Sequence, residues 1–262
     1  METGIPVGFE KFVRNAAAKY ERVLELASEF LTFAHALLQP PPKGVLTSLL
    51  RSVCLTITNS YQSVLLLTMN GCGTDALKIV RSMFESAVTV AYLQDKPDLL
   101  QDFLDYRWIK RQKHQEFLAQ CCPEQFNAID PTEIKKTILE YGRIKARFRG
   151  RSSWTDTNLR EMAKSVGIEQ QYLAVYPFTS SVHHLDVIGV MAQEDEGVMD
   201  VEVLPSEKNI RLALAIAGMS AYIALRYYDE SMTTGKAKEL EDWFQRYSVA
   251  QDGLKCNTNS AP

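Results

Sequence analysis

Residues 75–94 read Asp-Ala-Leu-Lys-Ile-Val-Arg-Ser-Met-Phe-Glu-Ser-Ala-Val-Thr-Val-Ala-Tyr-Leu-Gln, and this stretch decides the fold class. Ala76, Ile79, Val80, Met83, Phe84, Ala87, Val88 and Ala91 recur at three- and four-residue spacing, the period of an α-helix. Apolar side chains cover most of its circumference, which predicts a helix at the centre of a bundle.

The flanking sequence supplies the packing partners. Before it, Gly71 and Gly73 mark a helix end, and Thr74 or Asp75 can cap the next start. The preceding helix is predicted from Gly44 to about Asn70, and a long amphipathic helix from Phe9 to Gln39, stopped by Pro40-Pro41-Pro42. After it, Asp95-Lys96-Pro97-Asp98 breaks the chain. A polar helix then runs from Leu99 to about Gln120, and another from Asp130-Pro131 to about Phe148. Residues 151–206 are the irregular part: a short helix over 158–165, one over 172–188 interrupted by Pro177, and a loop with an extended piece near 198–203. From Glu207 to about Tyr247 the helical period returns, with Ala213, Ala217, Gly218, Ala221 and Ala224 as a small-residue face. No segment alternates in the manner of a strand. The prediction is an all-α bundle of seven to eight helices, one domain over 1–250 and a disordered tail over 251–262.

Composition narrows the function classes. Of the 262 residues 46% are hydrophobic and 23% charged, enough apolar content for a large core. A net charge of −3 gives no global attraction to polyanions, so any such site must be local. The five cysteines are scattered, as expected of reduced thiols in a cytoplasmic protein. The first residues lack a signal-peptide pattern, and Ser52–Thr74 carries too many hydroxyl and amide groups to span lipid. No membrane partner is expected. A Gly-rich phosphate loop and a nucleophile elbow are both missing, and no cofactor is indicated.

Three stretches could carry chemistry. Arg81 and Glu85 lie four apart on the most apolar helix, where a charged pair needs partners. They read either as an anion-binding arginine with a carboxylate base, or as a structural ion pair. Ser181, His183 and His184 follow the Pro177 break, with Asp186 able to orient an imidazole for acid/base work. Adjacent histidines diverge by about 100° around a helix, so no shared metal is expected. Arg143, Lys145, Arg147, Arg149 and Arg151 form the most basic run and could hold RNA or another phosphate ligand, or simply be a solvated helix end. Arg107 and His114 resemble the loose Arg-to-His pattern of helical HEPN ribonucleases, but Trp108 departs from it, and the segment reads as a solvated face.

The stretch 76–85 with Tyr92-Leu93, Trp154, Tyr172, Tyr176 and Ser180-Ser181-Val182-His183-His184 resembles a bacterial family known as domain-of-unknown-function family 5677. That resemblance implies an all-helical cytoplasmic protein in which Arg81, Glu85 and one histidine come together. It supplies no reaction. Two expectations follow. One is a phosphodiester hydrolase, RNase-like and serving stress or defence, with Arg81, Glu85, Ser181, His183 and His184 in a cleft. The other is a binding or assembly module in which those residues are structural and the Ala/Gly face makes a homodimer.

Overall fold

The structure is a computed structural model, and it describes residues 9–184, 194–195, 198–199 and 204–256. The fold is all-α, with eleven α-helices among the described residues. They are α1 (Glu10–Lys19), α2 (Glu21–Leu38), α3 (Val45–Met69), α4 (Gly73–Asp95), α5 (Leu100–Cys121), α6 (Pro123–Asn127), α7 (Pro131–Ile144), α8 (Leu159–Ser165), α9 (Glu169–His184), α10 (Ile210–Met232) and α11 (Ala237–Cys256). Glu194–Asp195 pair antiparallel with Val198–Met199; the second strand falls at the start of the extended piece suggested near 198–203, the first in what the sequence reads as loop. The chain divides into two compact units, residues 1–95 with 159–262, and residues 96–158.

In the first unit α4 is the central helix, packed against α3 and α10, as its all-round apolar pattern requires. Val80, Phe84, Ala87, Val88 and Ala91 are fully buried. The turn from α3 to α4 needs glycine: Gly71 takes φ +77, and a Cβ on Gly73 would lie 2.2 Å from the Lys208 carbonyl. The segment 205–210 can therefore run directly over the turn, and Ser206 donates its amide to the Gly71 carbonyl. On α3 two of the hydroxyls in the stretch that argued against a membrane span turn inward and bond their own helix, Thr58 to the Cys54 carbonyl at 2.9 Å and Thr68 to Val64 at 2.7 Å, while Ser52 and Thr56 are exposed. The helix α10 has the length and composition to cross a membrane, but its apolar surface is buried against α3, α4 and α11, as in a core helix.

Several boundaries differ from the sequence reading. The first long helix is two, separated at Tyr20, whose backbone leaves helical geometry (φ −103, ψ 13) with no Gly or Pro to announce it. The last is also two, because Thr233 and Gly235 take positive φ (54 and 75) and reverse the chain. The final helix reaches Cys256, so residues 251–256, expected in the tail, are helical, while 257–262 lie outside the described residues. The Ala/Gly face of α10 is consumed within the chain: Ala213, Ala217, Ala221 and Ala224 are buried, and a Cβ on Gly218 would meet the Tyr247 ring at 2.4 Å. That face is closed to a second copy, which removes the basis on which the sequence suggested a homodimer.

The second unit packs α5 against α6 and α7 around Tyr106, Trp108, Ile109, Ile144 and Phe148. Asp130 caps α7 as its position before Pro131 predicts, accepting the Thr132 amide at 2.8 Å, which holds its carboxyl below the usual range.

Candidate functional site

Arg81 and Glu85 face α9 from the edge of α4. The spacing of four puts them on one face, and Arg81 Nε donates to Glu85 Oε1 at 3.0 Å. The guanidinium reaches across to α9, where a terminal nitrogen donates to the Tyr176 hydroxyl at 3.1 Å and the carbon lies 5.1 Å from the Tyr176 ring centroid. Tyr172 stacks on Tyr176 with centroids 4.9 Å apart, the i,i+4 geometry again. The result is a layer of Glu85, Arg81, Tyr176 and Tyr172 between two helices. The Arg81 side chain is 13% exposed and Glu85 40%. Burial is the largest influence on the Arg81 pKa and lowers it, but the Tyr176 oxygen and the Glu85 carboxylate outweigh it and push it upward. Burial, with Tyr176 beside it, raises the pKa of Tyr172.

The other members of the expected cleft differ. Ser181 is buried, and its hydroxyl donates to the Pro177 carbonyl one turn back at 3.1 Å. Thr179 does likewise to Val175 at 3.0 Å. These hydroxyls are spent within α9. His183 and His184 close that helix, and the expectation of an imidazole beside Arg81 falls on side chains outside those described, as does Asp186. Among the described residues no group of three His, Cys, Asp or Glu is placed to hold a metal ion.

The basic run does not act as one surface. Arg147 pairs with Asp102 at 3.2 Å and with Asp105 in a shorter contact, while Arg151 pairs with Asp102 at 3.5 Å and Asp156 at 2.8 Å. Arg143 pairs with Glu140 at 3.1 Å. Lys145 and Arg149 have no carboxylate partner among the described residues. Sequence reasoning missed the acids because Asp102 and Asp105 sit on α5, more than forty positions from Arg147. It also left Tyr176 out of the charged pair's surroundings, although the 172/176 spacing is a detectable signal for a stacked pair on one helix face.

The matched region spans both settings. Residues 47–198, more than half of the chain, match the family of unknown function DUF5677. The chain belongs to this family. The DUF5677 match includes Arg81, Glu85, Tyr172 and Tyr176 and the whole of the second unit, while α1, α2, α10 and α11 lie outside it. No curated protein and no solved structure matches the chain.

Proposed function

We propose that this DUF5677 protein is a non-catalytic binding protein, in which Arg81, Glu85 and Tyr176 tie α9 to the central helix. The observation that carries this reading is the employment of the Arg81 guanidinium: one edge donates to Glu85, another to the Tyr176 hydroxyl, and a face lies against the tyrosine ring. An arginine that stabilises developing negative charge must offer donors toward the reacting group. Here Nε and one terminal nitrogen already donate to Glu85 and Tyr176, and the hydroxyl of Ser181 is also engaged in its own helix.

Phosphodiester hydrolysis is the second reading. It is favoured by the meeting of an acid, an arginine and a tyrosine hydroxyl on helices one of which ends in His183-His184. The two readings separate in one experiment. Purified protein is incubated with a mixed RNA and single-stranded DNA pool, with and without divalent metal, alongside Arg81→Ala and a His183→Ala/His184→Ala variant, and thermal stability is measured on the same samples. The binding reading expects no cleavage above background and a lower melting temperature for Arg81→Ala. Cleavage abolished in both variants while they remain folded would replace it with hydrolysis.

A further inference from the structure

The second unit holds two clefts formed by α5, α7 and the turn that follows α7, and their charge linings differ. The larger, about 600 Å³, places Asp105 and Glu140 among Arg107, Lys136, Arg143 and Arg147. Its acids already neutralise Arg147 and Arg143. The other, about 500 Å³, is lined by Lys113, Lys145, Arg149 and Arg151 and contains no carboxylate. Arg111, Arg143, Arg147 and Arg151 are each held in ion pairs, whereas Lys113, Lys145 and Arg149 have no carboxylate partner among the described residues. Three like charges brought into one concavity repel one another, and an anion relieves that repulsion.

The floor of the same cleft is apolar and partly aromatic. Ile109, Ala146 and Phe148 line it together with Tyr141, a half-buried ring packed against the unit's core. Tyr141 and Lys145 are one helical turn apart on α7 and its continuation, so ring and ammonium border the same space. A flat apolar group against the floor and an anionic group among the three cations would use both halves at once. The volume fits a small ligand.

We propose that this cleft binds a nucleotide, its phosphate held by Lys113, Lys145 and Arg149 and its base laid against Tyr141. The proposal deepens the binding-protein reading and rests on it. The ligand chemistry is shared by a free nucleotide and by the terminal nucleotide of a single-stranded RNA, and the two sources are separated by the test.

The full chain is titrated calorimetrically with adenosine monophosphate, with a short single-stranded oligoadenylate and with inorganic phosphate. The variants are Lys145→Ala/Arg149→Ala, Tyr141→Leu and, as a control in the other cleft, Lys136→Ala. Saturable binding of nucleotide or oligonucleotide is expected, weakened at least about tenfold by the double substitution, since each lost charged contact removes about a decade of affinity or more. Tyr141→Leu weakens the nucleotide and leaves phosphate unchanged, and Lys136→Ala changes neither. Affinity for the mononucleotide equal to that for the oligomer assigns the site to free nucleotides; binding of the oligomer alone assigns it to RNA ends. Absence of saturable binding to both, or binding indifferent to the double substitution in folded protein, overturns the site. Cleavage of the oligomer in the same cell would overturn the binding-protein reading while leaving the site standing.

Discussion

The Tyr176 ring lies beneath the Arg81 guanidinium at 5.1 Å while its hydroxyl accepts from that same group at 3.1 Å. One residue of α9 thus satisfies an arginine of α4 in two ways, and the contact spans 95 positions of sequence. Arg81→Ala removes both and leaves the half-exposed Glu85 carboxylate without its arginine. A loss of about 1–3 kcal/mol in unfolding free energy is expected. Tyr176→Phe keeps the ring and loses the hydroxyl, so it should cost about 0.5–1.5 kcal/mol. Chemical denaturation of the three proteins measures both; equal stability of Arg81→Ala and the parent would show that the layer contributes nothing.

Gly218 and Tyr247 form a second constraint. The space a Cβ would need is filled by a fully buried ring whose hydroxyl donates to the Leu214 carbonyl at 2.8 Å. Gly218→Ala should destabilise by about 1–3 kcal/mol through overpacking. Combined with Tyr247→Leu, which vacates the ring edge, the two costs should fall short of additive by more than about 0.5 kcal/mol. Strict additivity in the double-mutant cycle would mean that the ring shifts freely.

How much was legible in the sequence follows from the range of each signal. The central helix and the Arg81/Glu85 pair are local patterns, periods of three and four within one helix, and they came through unchanged. The break at Tyr20 did not, because apolar spacing continues across it and no helix-breaking residue marks it. Thr233-Thr234-Gly235 did carry a stop signal, but the apolar pattern resuming at Leu240 and Trp243 on the next helix masked it. For the basic run the sequence leaves a phosphate site and a solvated helix end both open, because periodicity says nothing of Asp102 and Asp105, which tertiary folding brings to Arg147. What survives as a surface is Lys145 and Arg149, joined by Lys113 from another helix, a grouping that no one-dimensional pattern displays.

The cysteines offer an accessibility readout. Cys54 is buried on α3, its thiol directed at the Ala224 carbonyl at 3.5 Å, and burial pushes its pKa far upward. Cys121 is exposed. Thiolate is the reactive form, so a thiol reagent at pH 8 should modify Cys121 rapidly and Cys54 only when the α3–α10 packing opens. Mass spectrometry of quenched samples should show Cys54 labelling rising with denaturant in step with unfolding. Equal rates at the two positions in native conditions would contradict the packing of these helices.

Glu29 supplies a pH test with a defined sign. Arg246 grips its carboxylate with two nitrogens, at 2.9 and 2.5 Å, and that hydrogen bonding holds the Glu29 pKa below the usual glutamate value. A carboxyl whose folded pKa is depressed adds stability that is complete above its unfolded pKa, about 4.3, and disappears as pH falls through the lower folded value. The pair is well exposed, so solvent screening limits its worth to about 0.2–1 kcal/mol. Comparing the protein with Glu29→Gln in urea, the parent should be more stable at pH 7 by about that margin. The difference should shrink below pH 4, since protonated Glu29 and glutamine then present Arg246 with equally neutral partners. A gap that widens on acidification would show that the parent gains from protonating Glu29, the opposite of what a bidentate ion pair requires.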